Sequence, residues 1–131
     1  MISSITRRNL LIGSAALVVS GTAAQADIVK FDQSAFDAAQ AAGKSILVEI
    51  TAPWCPVCKV QKPLIEALKG KAAYKDVMVF QIDFDSQKSV LPKLSASSQS
   101  TLIAFKGKQE KKRSVGQTDA AIIEDHFKSL I

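Results

Sequence analysis

The segment Ser45–Thr51 has the sequence SILVEIT, and it restricts the possible fold more than any other part of the chain. It is almost continuous in β-forming side chains, and Glu49 is its one charged residue. A run of this kind suits a strand that is covered on both faces, as in a parallel sheet. The chain therefore needs other elements to pack on the two sides of that sheet.

A helical pattern begins only a few residues after this strand, at residues 55–69. Its apolar residues recur four positions apart, and Gly70 follows the last of them. Pro63 lies inside the pattern and is expected to kink the helix. A buried strand that leads directly into a helix predicts an α/β fold.

The other segments continue this alternation of strand and helix. They are a strand at 28–31, a helix opened by a capping box at 34–37 and ended by Gly43, a strand at 77–84, a short helix at about 86–94 broken by Pro92, a strand at 101–105, a turn at Gly107-Lys108, a strand ending near Gly116, and a helix from Thr118 to Leu130. The predicted order is β-α-β-α-β-α-β-β-α. It indicates a central mixed β-sheet flanked by helices on both faces.

Residues 1–26 have the layout of an export signal. A basic pair, Arg7-Arg8, precedes an apolar run at 10–19 and an A-x-A cleavage site at 24–26. The apolar run is shorter than the roughly 20 residues that span a bilayer, so we expect cleavage after Ala26, with an uncleaved anchor as the alternative. Residues 6–11 resemble the bacterial twin-arginine signal, and the general export route is the alternative. The prediction is a periplasmic domain at 27–131.

The charge of the mature domain gives little support to a nucleic-acid partner. Removing residues 1–26 leaves 105 of the 131 residues, enough for one small domain, and the loss of Arg7 and Arg8 lowers the net charge from +5 to +3. One basic run interrupts the last strands and is interpreted as a solvated hairpin, with a site for an anionic partner as the alternative: Lys106, Lys108, Lys111, Lys112 and Arg113.

Cys55 and Cys58 are the only cysteines in the chain, and they lie where the buried strand gives way to the helix. A purely structural disulfide is one interpretation, but so short a loop removes little entropy from the unfolded chain. A metal site is another, but structural zinc takes four ligands, and the only other soft candidate is His126, which we expect at the surface. The carboxyl edge of a sheet is where such folds place functional sites.

The same location favours redox chemistry. With Cys55 at the N-cap and Pro56 at the first helical position, free N–H groups and the helix dipole stabilise a Cys55 thiolate. Cys-x-x-Cys sites lower the pKa of the first thiol to about 3.5 to 7, against about 8.5 for free cysteine. Cys55 is thus predicted to be the nucleophile, and Cys58, expected to be the more buried, the resolving thiol. Lys59 adds a positive charge nearby.

Glu49 is a carboxylate within an apolar strand, six positions before Cys55. It is either a charge on a solvent-facing strand position or a buried acid beneath the dithiol. In the second interpretation its pKa is raised, and it takes the Cys58 proton during exchange. A central strand favours the second.

These residues closely resemble the thioredoxin family over nearly all of 28–131. Residues 44–59, with Trp54 before the first cysteine, are similar to that family's central strand and active-site turn, and Glu49 falls on its buried acid. Pro63 falls on the kinking proline and Gly116 on the glycine beside the site. The resemblance implies the thioredoxin fold and a thiol-disulfide oxidoreductase without a cofactor.

Two departures from the family concern the walls of the site. Ser100, before Thr101, replaces the family's cis-proline, so we expect a trans peptide before it and a hydroxyl able to hydrogen-bond a cysteine sulfur. In the family this loop pairs with the substrate backbone and shields the dithiol from metals. Pro56-Val57 replaces the usual Gly-Pro between the cysteines, and these residues help to set the redox potential.

The resemblance also implies a role and partners. We expect a monomeric reductant of disulfides in periplasmic proteins, supplied with electrons by a membrane thiol transporter of the DsbD or CcdA type. A disulfide-donating oxidant and a non-enzymatic dithiol module that holds a metal or a partner are the alternatives.

Overall fold

The structure is a computed structural model that describes residues 28–131 and, before them, Ala16 alone. The predicted export signal at 1–26, with its twin-arginine pattern and cleavage site, lies outside the described residues except for Ala16. Among the residues described, no helix has the length and apolar character to cross a membrane.

The element order follows the predicted alternation. The elements are β1 Ile28–Lys30, α1 Gln33–Ala41, β2 Ser45–Thr51, α2 Pro56–Lys69, β3 Met78–Asp83, β4 Thr101–Lys106, β5 Gln109–Val115 and α3 Ala120–Lys128, with 3₁₀ helices at Ala72–Tyr74 and Lys88–Leu94. The third predicted helix is thus a 3₁₀ helix that contains Pro92. The 3₁₀ helix at 72–74 was not predicted.

The sheet is mixed and has the strand order β1-β3-β2-β4-β5. The first three strands in this order are parallel, while β4 is antiparallel to both β2 and β5. Strand β2 lies in the middle, so the loop that follows it opens at the centre of the sheet edge. This architecture confirms the predicted fold class.

Strand β2 is buried on both faces, as its sequence predicts. Ile46, Val48 and Ile50 pack with α1 and the 3₁₀ helix 88–94 on one face, and Leu47 packs with α2 and α3 on the other. All four side chains are completely buried, and each such burial contributes about 1.5–3 kcal/mol. The strand that carries Glu49 is therefore held rigidly under α2.

Two predicted helix starts are wrong by one or two residues. Asp32, not Ser34, caps α1 by accepting from the N–H of Ala35 at 2.9 Å. Asp119, not Thr118, caps α3 and accepts from two backbone N–H groups. A carboxylate caps as well as a hydroxyl does and also interacts with the positive end of the helix dipole, so the aspartates take the cap positions.

The basic run forms the predicted hairpin between β4 and β5. Gly107 has a φ of 58° in the turn. Arg113 pairs with Glu110 and donates to the carbonyls of Leu94 and Ser95, so part of its charge is used within the domain. The lysines of the run are exposed or half-buried.

Candidate active site

Cys55 occupies the N-cap of α2, and the two cysteines form a disulfide. The backbone of Cys55 is extended, Pro56 fills the first helical position, and the Cys55 sulfur accepts from the N–H of Cys58 at 3.1 Å. A helix N-terminus carries free N–H groups and a partial positive charge. The local geometry is therefore the one predicted to stabilise a thiolate on Cys55.

The two cysteines do not differ in burial, contrary to the expectation that Cys58 lies deeper. Cys55 is 1% exposed and Cys58 is 2% exposed. Val57 and Phe84 pack against the pair, and the hydroxyl of Ser100 lies against Cys55. The wall opposite the helix thus covers the first cysteine as fully as the second.

Ser100 forms this wall, immediately before β4. Its N–H donates to the carbonyl of Ile50 at 2.8 Å, and its carbonyl accepts from the N–H of Gly116 at 3.0 Å. The peptide before it is trans, as expected, because no cis peptide occurs in the described residues. Its φ is 60°, a left-handed conformation that is uncommon for serine. Its Oγ lies 3.3 Å from the Cys55 sulfur and 3.6 Å from the Cys58 sulfur.

Thr101 and Gly116 support the loop that carries Ser100. The Thr101 hydroxyl donates to the carbonyl of Ser98 at 2.7 Å. Gly116 has a φ of 71°, which glycine adopts without strain, and this conformation brings its N–H to Ser100. Both residues predicted to shape the site therefore act through the backbone around Ser100.

Glu49 is completely buried in β2. Its Oε2 accepts from Nε2 of Gln81 at 2.9 Å, while its Oε1 has no partner in the described part of the chain. Burial raises the pKa of Glu49, and the Gln81 hydrogen bond and the charge of Lys62 oppose this more weakly. The burial predicted for this acid is confirmed, and burial shifts its pKa in the predicted direction.

A cleft of about 530 Å³ opens beside the disulfide on the side of Cys58. Its lining includes Lys59, Lys62 and Gln81, and the last of these also holds Glu49. Lys59 is exposed and lines this opening, where it contributes a positive charge. The cleft joins Cys58 and the partner of Glu49 to solvent.

Trp54 lies at the outer rim of the site and is 53% exposed. Its Nε1 donates to Asp85 at 2.7 Å, and its ring meets Phe84 edge-on, with ring centroids 6.1 Å apart. These contacts fix the indole beside Cys55 while leaving a large part of it accessible.

Two glutamines of the site were not predicted. Gln61 is completely buried on α2, and its Nε2 donates to the carbonyls of Ser100 at 3.3 Å and Gln117 at 2.8 Å. Gln81 is the cross-strand neighbour of Glu49. Gln61 is a polar residue three positions after Cys58, so it lies on the buried side of α2. This position on the helix was the one feature of the sequence that could have predicted its role.

His126 is completely buried, so its predicted surface position is wrong. Its Nε2 lies 3.0 Å from the Ser114 hydroxyl and its Nδ1 lies 3.0 Å from the Ile122 carbonyl. Both nitrogens are therefore used within the fold, and α3 buries the ring against β5. Among the described residues no three His, Cys, Asp or Glu side chains are grouped as metal ligands.

Comparison with known proteins agrees with this geometry. The thioredoxin family model matches residues 27–129. Thioredoxin-2 of Saccharomyces cerevisiae is 40% identical over 90 residues, which is 68% of this chain and 85% of the yeast protein. Protein disulfide isomerase-like 2-1 of Oryza sativa is 34% identical over 110 residues, but the match spans 30% of that longer protein.

A solved structure is similar over most of the domain. The crystal structure of Trxlp from Edwardsiella tarda has a TM-score of 0.74 and 39% identity, and the match covers 77% of this chain and 98% of that one. The fold described above is thus shared with a solved structure of similar sequence.

Proposed function

Because this chain belongs to the thioredoxin family and is a thiol-disulfide oxidoreductase, we propose that it reduces protein disulfides outside the cytoplasm. The observation that carries the proposal is the placement of Cys55 at the N-cap of α2, with the N–H of Cys58 donating to its sulfur. A donor aimed at a sulfur stabilises the thiolate, which is the attacking form in disulfide exchange.

The reaction has two exchange steps. The Cys55 thiolate attacks one sulfur of the substrate disulfide, forms a mixed disulfide and releases the first substrate thiolate. Cys58 then loses its proton and attacks the Cys55 sulfur, which closes the Cys55–Cys58 disulfide and releases the second substrate thiolate. Two electrons pass from the dithiol to the substrate, and the two released thiolates take up protons.

Glu49 is the proposed acceptor of the Cys58 proton. Its raised pKa makes the carboxylate a stronger base than an exposed glutamate, which favours uptake of the Cys58 proton. The cleft lined by Cys58 and Gln81 supplies a route by which water carries that proton to solvent. Glu49 acts here as a general base for the second step.

The location and the electron donor are part of the proposal. The signal-like pattern at 1–26 supports export to the periplasm, where disulfides form and persist. A reductant in that compartment needs electrons from elsewhere, which a membrane dithiol transporter of the DsbD or CcdA type would supply. Its substrates would be disulfide-containing periplasmic proteins.

Insulin disulfide reduction tests the activity. The reduced wild-type protein is expected to cleave insulin disulfides, and Cys55→Ser is expected to abolish that cleavage. Ser97→Ala, an exposed substitution in the loop before Ser100, serves as the control and is expected to keep the wild-type rate. Failure of the wild type to cleave insulin, or full activity in Cys55→Ser, would refute the proposal.

The direction of electron flow is tested by equilibration with glutathione. A potential near about −270 mV is expected for a reductant, whereas one near about −120 mV would identify an oxidant. Export is tested by expressing the whole chain in a bacterium and measuring the mass of the periplasmic form, which is expected to begin at Asp27. A chain that stays in the cytoplasm at full length would contradict this part of the proposal.

A further inference from the structure

We propose that the Ser100 hydroxyl is a catalytic hydrogen-bond donor shared by the two cysteine sulfurs, and that Gln61 is the residue that positions it. This inference rests on the proposed function, because it concerns the same exchange steps. Its starting observation is that one hydroxyl oxygen lies 3.3 Å from the Cys55 sulfur and 3.6 Å from the Cys58 sulfur.

While the disulfide is closed, neither cysteine sulfur carries a proton, so of these three groups only the Ser100 hydroxyl can donate a hydrogen bond. Ser100 is 5% exposed, so water has little access to it. A disulfide sulfur is a weak acceptor, whereas a thiolate carries a full charge. Hydrogen bonds to charged groups are roughly twice as strong as neutral ones. The hydroxyl therefore stabilises the reduced, ionised site more than the oxidised one.

The negative charge changes place during the reaction, and the hydroxyl can follow it. In the first step the charge is on Cys55, and in the second it is on Cys58. A hydroxyl proton turns freely about its C–O bond. By rotating, the hydroxyl can donate to each sulfur in turn. When Cys55 is the thiolate, the same oxygen accepts a hydrogen bond from the Cys58 thiol.

The backbone of Ser100 is fixed on both sides, which determines where the hydroxyl points. Its N–H is bound to Ile50, and its carbonyl accepts from both the N–H of Gly116 and Nε2 of Gln61. The same Gln61 amide donates to the carbonyl of Gln117 at 2.8 Å. A buried side chain of α2 thus joins the helix of the cysteines to the loops that carry Ser100 and Gln117.

Two substitutions separate the hydroxyl from the unusual backbone at this position. Ser100→Ala removes only the Oγ atom. Ser100→Gly also removes it, but glycine adopts a φ of 60° without strain. If the hydroxyl determines the redox equilibrium, both variants shift that equilibrium in the same direction. If backbone strain determines it, only the glycine variant shifts the equilibrium.

The measurement is the equilibrium of the Cys55–Cys58 couple with glutathione at constant pH. Loss of the hydroxyl is expected to disfavour the reduced form about ten-fold, which lowers the potential by about 30 mV. The midpoint of thiolate formation, followed by ultraviolet absorbance, is expected to rise by about one pH unit. Ser97→Ala is expected to leave both values unchanged.

Gln61→Met tests the positioning role, because methionine has a similar length and no amide. We expect it to shift the glutathione equilibrium in the direction of Ser100→Ala, about three-fold. In the Ser100→Ala background, Gln61→Met is expected to cause no further shift, since the hydroxyl that it positions is gone. Additive effects of the two substitutions would overturn the role assigned to Gln61.

The inference as a whole is overturned if Ser100→Ala and Ser100→Gly both stay within about two-fold of the wild-type equilibrium, or if only the glycine variant shifts. Should the alanine variant fold poorly, an unshifted glutathione equilibrium and an unshifted thiolate midpoint in the glycine variant overturn the inference. A wild type that does not reduce insulin refutes the proposed function, and the equilibrium still decides the role of Ser100.

Discussion

Gln81 donates from its Nε2 to Oε2 of Glu49 over 2.9 Å, and the two residues lie directly opposite each other on β3 and β2. The second oxygen of Glu49 is buried without a partner in the described part of the chain. The pKa of Glu49 stays raised because burial penalises its charged form more than the Gln81 hydrogen bond and the charge of Lys62 favour it.

Replacing Glu49 with glutamine is expected to slow the second exchange step by about a hundred-fold, the low end for loss of a general base. The amide keeps the shape of the acid but cannot take up the Cys58 proton. Rapid-quench measurement of the mixed disulfide separates this step from the first. A slower first step with an unchanged second step would show that Glu49 has another role.

Glu49→Gln is also expected to stabilise the protein at neutral and alkaline pH. The folded-state pKa of Glu49 lies above the ordinary 4.5, so the wild type loses stability as pH rises from about 4.5 through the folded value. Glutamine has no such cost. Thermal unfolding is expected to give a melting temperature several degrees above wild type at pH 8, with the difference shrinking towards pH 4.

Replacing Gln81 with methionine is expected to move the pH profile of the second step upwards. The Gln81 hydrogen bond lowers the pKa of Glu49, so its loss leaves the acid protonated to a higher pH. The variant should be slower than wild type at the acidic end of the profile and recover as pH rises. Gln109→Met, on the exposed hairpin, is the control. An equal loss at every pH would indicate a structural defect.

Replacing Cys58 with alanine is expected to trap the mixed disulfide. Cys55 can still attack, but the resolving thiol is gone, so nearly all of the protein should become joined to substrate. Mass spectrometry under non-reducing conditions measures the adduct. Cys55→Ala should give almost none, and a similar adduct in both variants would contradict the assignment of the nucleophile.

His126 is expected to make the domain less stable as pH falls below about 6.5. Burial lowers the pKa of His126 in the folded state, so only the unfolded chain takes up the proton in that range. Stability is thus complete above the unfolded value and is lost as pH falls towards the folded value. His126→Gln should flatten this part of the stability curve, measured by urea unfolding between pH 5 and 8. An unchanged slope would contradict the prediction.

The fold and the centre of the site could be predicted because their causes are local. The SILVEIT run, the residues around Cys55 and the position of Glu49 each follow from strand periodicity or helix capping. The mixed sheet then follows from the order of the elements. A strong resemblance over residues 28–131 reinforced the same interpretation.

The features that were missed depend on contacts between distant segments. Gln61 and Gln81 gain their roles only when α2 meets the Ser100 loop and when β3 pairs with β2. The equal burial of Cys55 and Cys58 depends on the same loop. The burial of His126 could not be predicted, because nothing in its neighbouring sequence indicates that Ser114 of β5 would hydrogen-bond its ring.

Trp54 has a practical consequence because it is the only tryptophan in the chain. All tryptophan fluorescence of this protein arises beside Cys55, from an indole bound to Asp85 and packed against Phe84. Trp54 is therefore an intrinsic fluorescent probe at the rim of the active site. We expect the change of redox state to alter this fluorescence in the unlabelled protein, with no second tryptophan to subtract.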